Sequence, residues 1–280
     1  MHTTHIVPLP HRPALELGPR PLVMGILNVT PDSFSDGGQH EGLDQAVAHA
    51  RAMLDEGADI IDIGGESTRP GAETVPVQEE LDRVIPVIDA LRAAGIAAPI
   101  SIDTYKPLVA DQAIQAGADI INDVLGLQGP PEMAEVAALY GAPVIAMHWD
   151  RSWDAQTPAM PAMIAHFART LAIADAAGLG RSQLILDPGF GFSKSLAQNY
   201  EILRRLPELV DAYPAHGVLV GTSRKSMIGK LLNNEPGQRL PGTIATTVQG
   251  YERGGHIFRV HDVAANRDAL RVAQATLYGP

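Results

Sequence analysis

The chain has no cysteine in 280 residues, which rules out disulfides and any thiolate metal site. No apolar stretch approaches the roughly 20 residues needed to span a bilayer. The opening "MHTTHIVPLPHRPALELGPR" has no apolar signal core. No membrane partner is expected, and a cytoplasmic protein is the default. Positive charge is also scarce: the formal net charge is −11, and there are four lysines. Nonspecific nucleic-acid binding through a basic surface is therefore not expected, and any anion site must be a local cluster of donors. Charged residues make up 19% and hydrophobic residues 45%, the balance of a globular chain long enough to bury a large core.

What is present is an alternation. Eight short apolar segments punctuate the chain: "LVMGILN", "DIIDIGG", "PISIDT", "DIINDV", "PVIAMH", "LILDPG", "GVLVGTS" and "HIFRVHD". They are rich in Ile, Val and Leu without clean alternation, as strands buried on both faces of a parallel sheet should be. Amphipathic stretches lie between them. Leu43, Ala46, Val47, Ala50 and Leu54 follow helical spacing, as do Val77, Leu81, Val84, Ile85, Ile88 and Leu91. Gly57, Gly95, Gly117, Gly141 and Gly178 are placed to close helices, and Pro86 should kink the second one. Eight strands, each followed by a helix, predict an α/β protein with a single (β/α)8 barrel over residues 21–280, after a loose proline-rich lead-in over residues 1–20. A doubly wound open sheet is the alternative.

In such a barrel the active site lies at the C-terminal ends of the strands. Here those ends are polar: Asn28, Asp62, Asp103, Asn122, Asp123, His148, Asp187, the run "GTSRKS", Arg259 and His261. Acids inside apolar runs are costly unless paired. Asp262 fits a helix cap, and Asp62 a structural partner of loop donors. Helix capping does not account for the rest, which recur at strand after strand. Asp103, Asn122 and Asp187 suit a flat heterocycle with adjacent N–H donors. Thr68, Arg69, Arg259 and His261 suit phosphate oxygens. Lys225, at an expected helix start beside two hydroxyls, suits an anion or a carbonyl, whereas Arg224 is read partly as a solvated charge.

Together "MGILNVTPDSFSDGG", "DIIDIGGESTRPGA", "ISIDTYKP", "IINDV", "ILDPGFGFSKSLAQNY", "TSRKSMIG" and "RVHDV" resemble the ordered motif set of the dihydropteroate synthases, from about Met24 to the C-terminus. The resemblance implies a TIM barrel that joins 6-hydroxymethyl-7,8-dihydropterin diphosphate to 4-aminobenzoate, releasing diphosphate and forming 7,8-dihydropteroate by way of a cation-like pterin-methyl species. It also implies Mg2+, sulfonamide inhibitors as ligands and a homodimer formed through outer helices. By position, Asp103, Asn122, Met147, Asp187 and Lys225 match the pterin-binding residues. Asn28, Thr68, Arg69, Arg259 and His261 match the diphosphate site, with Asn28 at the metal. Phe34, Thr68, Pro70, Phe192 and Ser226 match the 4-aminobenzoate pocket. Asp103, Lys225, Arg259 and His261 would carry the chemistry.

The fifth loop departs from the family pattern. The family resembles MHMxGxPxTM there, whereas this chain reads "MHWDRSWDAQTPAM". The stretches "TPDSFSDGG" and "STRPGA" read as paired loops that order on diphosphate and metal and complete the arylamine pocket, so that the pterin substrate binds first. The alternative functions are a non-condensing pterin barrel, like the methyltetrahydrofolate methyltransferases, and a silent homologue. The presence of "STRPGA" and "RVHDV" argues against the first; the intact motif residues weaken the second, which only an assay removes.

Overall fold

The computed structural model describes residues 2–29, 38–67 and 73–280, with residues 38–40 as backbone. The eight apolar segments are β3 (Leu22–Asn28), β4 (Ile60–Gly64), β5 (Ile100–Asp103), β6 (Ile120–Asp123), β7 (Val144–Met147), β8 (Leu184–Asp187), β9 (Gly217–Val220) and β10 (Ile257–Val260). All pair in parallel with their sequence neighbours, and β10 pairs with both β9 and β3, so the sheet closes. The open-sheet alternative is thereby excluded.

Helices α1 (Gly38–Asp55), α2 (Val77–Ala93), α3 (Pro107–Gln115), α4 (Glu132–Tyr140) and α5 (Ala159–Ala177) each follow one strand. Two helices follow each of the next two strands: α6 (Leu196–Arg204) and α7 (Leu206–Ala212) after β8, then α8 (Ser226–Leu232) and α9 (Leu240–Glu252) after β9. Helix α10 (Val263–Tyr278) closes the ring. Pro86 lies inside α2 without ending it, and Val84, Val87, Ile88 and Leu91 are all buried. The five glycines expected to close helices all have positive φ.

Residues 1–20 are not a loose lead-in. His5–Val7 (β1) and Leu15–Leu17 (β2) form an antiparallel hairpin. Its Val7 and Leu17 are fully buried, in one cluster with Leu22, Met24, Ile60, Ile120, Ile145, Ile185, Leu219 and Ile257. These barrel residues lie toward the N-terminal ends of their strands, so the hairpin plugs the mouth opposite the expected site. Leu17 comes so near Gly217 that a Cβ there would lie 2.3 Å from its Cδ1. Polar anchors complete the attachment: Arg12 donates to Asp119, and the ring of His11 meets the Ile114 carbonyl. Local pattern hid this because a strand of three residues offers too few positions to show a period.

Candidate active site

The barrel interior changes character along its axis. Ile60, Ile120, Ile145, Ile185 and Ile257 belong to the apolar inner cluster. Two residues further on in the same strands stand Asp62, Asn122, Met147, Asp187 and Arg259. Successive strand residues face opposite sides, so a step of two keeps the side chain inward. Each strand therefore carries an apolar residue low in the barrel and, in most cases, a polar one at its C-terminal end. The register extends this layer sideways: Asn28 pairs with Gly64, Gly64 with Asp103, and Asp103 with Asn122. Across the barrel Met147 pairs with Asp187.

Arg259 is the hub of one half. It donates through Nε to Asp62 at 2.6 Å and through an η nitrogen to Asp103 at 2.7 Å. Asn122 reaches the same Asp62 carboxylate with long contacts of 3.4 Å. Among the described residues, Asp62 is thus a structural partner of barrel side chains. Burial raises Asp103 to about 7 against the pull of Arg259, with Asp62, Glu80 and Asp187 adding to the rise. Its Oδ1 has no partner among the described residues. Burial works against the Arg259 charge, but the two carboxylates outweigh it and hold the guanidinium protonated.

Asp187 and Lys225 form the other half. Asp187 is buried, accepts the Gly189 N–H at 2.8 Å, and is raised by burial against the opposing charge of Lys225. Lys225 precedes α8 and donates to the Phe190 carbonyl at 2.5 Å, with its ammonium 4.8 Å from the centre of the Phe192 ring. Burial lowers it to about 8, with Asp187 resisting. The turn joining these groups is tight. Gly189 takes φ +66, and a Cβ there would meet the His148 carbonyl at 2.2 Å.

Lys194 holds that turn and was not singled out by sequence. It is buried and donates to the carbonyls of His148, Gly189 and Phe192 at 2.8–3.1 Å. Among the described residues no carboxylate is one of its hydrogen-bond partners, and burial lowers it to about 7. Its rarity was the available signal, as one of four lysines. At β10, the His261 Nδ1 lies 3.0 Å from the Ser223 hydroxyl, which also accepts the His261 backbone N–H. Asn28 and His261 line a cleft of about 500 Å3 with Gln45, His49 and Arg224. Ser226 is exposed at the start of α8.

Other polar strand ends do not join. The His148 ring follows inward-facing Met147 and so points outward, into a box with Trp153, His166 and Phe167. Burial lowers it to about 2. Asp123 caps its own turn by accepting the Leu125 and Leu127 N–H groups. Asp262 occupies the cap position of α10 but makes no side-chain cap bond; its carboxylate takes a bidentate pair from Arg224. Arg224 is thereby a partnered cation, though its side chain stays 40% exposed. Phe34, Thr68, Arg69 and Pro70, with most of the two loops that hold them, lie outside the described residues.

Residues 24–261 match the family described as pterin binding enzyme. Dihydropteroate synthase of Escherichia coli (strain K12) is 49% identical over 263 residues, 92% of each chain. A solved Clostridium difficile dihydropteroate synthase, in the presence of pteroic acid, superposes with a TM-score of 0.89 at 49% identity, covering 94% of this chain and 99% of that one. That of Xanthomonas albilineans with 4-aminobenzoic acid gives 0.92 at 46% identity, covering 99% and 100%.

Proposed function

Since the chain belongs to the pterin binding enzyme family, with the dihydropteroate synthases of folate biosynthesis, we propose that its barrel mouth condenses 6-hydroxymethyl-7,8-dihydropterin diphosphate with 4-aminobenzoate. The observation that carries this reading is the split interior layer, with Asp187 and Lys225 on one side and Asp103 and Arg259 on the other.

Asp187 accepts N3–H and the 2-amino group of the pterin together, a bidentate carboxylate contact. Asn122 and the remaining N–H donors of Lys225 address the ring nitrogens and carbonyl, and Met147 packs on the ring face. Two of the five N–H donors of Arg259 are committed to Asp62 and Asp103, which leaves others for phosphate oxygens. His261, steadied by Ser223, and Thr68 and Arg69 complete the diphosphate contacts in this reading. The C–O bond to the leaving diphosphate breaks, both electrons departing with oxygen. Asp103 stabilises the resulting pterin-methyl cation. The arylamine nitrogen then attacks the methylene carbon and loses a proton. Phe34, Pro70, Phe192 and Ser226 hold that amine in line, so catalysis is positioning plus charge stabilisation.

Mg2+ belongs to this reading as a companion of the diphosphate. Among the described residues no cluster of three or more His or acidic side chains could hold a metal. A single amide oxygen, from Asn28, suits an ion that keeps its waters and prefers phosphate oxygens. When bound, it would neutralise charge on the departing diphosphate. Sulfonamides, as mimics of 4-aminobenzoate, would take the arylamine pocket. A cytoplasmic location is part of this reading; among the described residues no helix is long and apolar enough to cross a membrane. A homodimer is supported by an apolar groove of about 480 Å3 between α6, α8 and α9.

A diphosphate-release assay with both substrates tests the function. Release that depends on 4-aminobenzoate is expected. Pterin diphosphate binding without release would point to a non-condensing pterin barrel instead.

A further inference from the structure

The fifth loop, where the sequence leaves the family pattern, reaches the turn after β8. Trp149 donates its indole N–H to the Ser193 hydroxyl at 3.0 Å. Its ring meets Phe192 edge-on, with centroids 5.4 Å apart and planes at 61°. On its own ring sits the Arg151 guanidinium, 4.8 Å from the centroid. Phe192 is therefore held from two sides, by Trp149 and by the Lys225 ammonium.

We propose that Trp149 is a positioning residue for the arylamine, acting through Phe192. The proposal rests on the reading above that Phe192 walls the arylamine pocket. Three features argue that the contact sets geometry rather than merely covering surface. First, Ser193 adopts φ +55, a conformation that side-chain-bearing residues rarely take, and the hydrogen bond from Trp149 falls on this residue. The clasp thus holds the turn at the point where it is least stable by itself. Second, the loop carrying Trp149 is pre-formed. Asp150 accepts from the Ser152 N–H and hydroxyl, Asp154 accepts from Gln156 and Thr157, and Gln198 of α6 donates to the carbonyls of Asp154 and Thr157. An indole fixed at its base can orient a neighbouring ring. Third, the flanks of Phe192 are fixed by other bonds. Its carbonyl accepts from Lys194, and its N–H donates to the Gly189 carbonyl. The ring torsion is left to its neighbours, and edge-to-face packing is a directional one.

The expected consequence is selective. Without the indole, Phe192 gains rotameric freedom that 4-aminobenzoate must remove on binding. The pterin half, held by Asp187 and Asn122, is not affected.

Steady-state kinetics with both substrates test this in Trp149→Ala, Trp149→Phe, Ser193→Ala and Phe192→Ala. We expect Trp149→Ala to raise KM for 4-aminobenzoate by roughly three- to tenfold, the order of one aromatic contact. KM for the pterin diphosphate should stay within twofold. Trp149→Phe keeps a ring and should show a smaller rise, and so should Ser193→Ala. Trp149→Ala added to Phe192→Ala should cost nothing more. If Phe192→Ala raises KM for 4-aminobenzoate and Trp149→Ala does not, the proposal is overturned while the pocket reading survives. If Phe192→Ala also leaves that KM unchanged, the pocket reading falls with it. Equal rises in both KM values for Trp149→Ala would mean a general structural role and would likewise overturn the proposal. Should Trp149→Ala fail to fold, the Phe and Ser193 variants decide: an unchanged KM in both rejects the clasp.

Discussion

At the scale of single residues, the site is a set of charges set against burial. Asp187 lies at the barrel mouth and is raised by burial, so its ionised form relies on Lys225 and on the Gly189 N–H. Asp187→Asn keeps the volume but cannot accept two donors at once. We expect pterin diphosphate affinity to fall by roughly five- to 150-fold, on the order of 1–3 kcal/mol, with the fold retained. Titration calorimetry beside circular dichroism checks both halves of that statement. Asp103 makes a second prediction. Burial raises it to about 7, so it is protonated below that pH and ionised above it. If the carboxylate stabilises the cation, kcat/KM should fall as pH drops through about 7. Asp103→Asn should lower the rate and flatten that limb. A full rate in Asp103→Asn would remove Asp103 from the chemistry, whereas a level wild-type profile from pH 6 to 8 beside a slow variant would place its titration below that range.

At the scale of elements, buried ion pairs tie the barrel together below its loops. Lys106, just before α3, is buried between Glu80 of α2 and Glu66 at the foot of the loop after β4, and it also donates to the Val75 carbonyl. Removing the ammonium leaves two carboxylates facing each other out of water. Lys106→Met should therefore destabilise the protein by about 3–5 kcal/mol, read by urea unfolding. A cost below 1 kcal/mol would mean that water enters the triad freely. The N-terminal hairpin is attached differently. His256 accepts the Val218 N–H on Nδ1 and meets the Thr3 carbonyl through Nε2, so its ring is neutral in place. Burial lowers it to about 4, with His2 and His5 adding to the effect. The unfolded ring titrates near 6.5, so the unfolded chain binds more protons between these values. The stability it contributes is present above about pH 6.5 and lost as pH falls toward 4. Melting temperature should drop across that window, and His256→Gln should shrink the drop. His166 is lowered to about 4 in the same way, so part of the drop will persist.

At the scale of the whole molecule, the exterior is not uniform. Leu231 and Leu232 stand 57% and 50% exposed beside a groove lined by Tyr200, Ile228, Pro241 and Ala245. Sustained exposure of such side chains is costly, which favours a second copy of the chain as the covering partner. Sedimentation velocity should give a dimer for the wild type, and Leu231→Asp should shift it toward monomer with the barrel still folded. A wild-type monomer at micromolar concentration would reject the homodimer.

The order of elements and the polar strand ends that make up the candidate site could be read from the sequence. Strands covered on both faces must be apolar throughout, and a barrel must place its remaining polar side chains where the strands end. Hence Asp103, Asn122, Asp187, Arg259 and His261 stood out against their surroundings. Tertiary structure alone decided the rest. Closure of the sheet made Asp62 and Arg259 neighbours across 197 residues, a contact no local period encodes. Strand parity turned His148 outward and Met147 inward, a distinction that hydropathy cannot register when both faces are dry. The plug of Val7 and Leu17, the turn held by Lys194 and the meeting of Trp149 with Phe192 join segments whose own sequences give no sign of a partner. Local propensity acts over a few residues, whereas these contacts exist only because the closed barrel brings distant chain ends to one place.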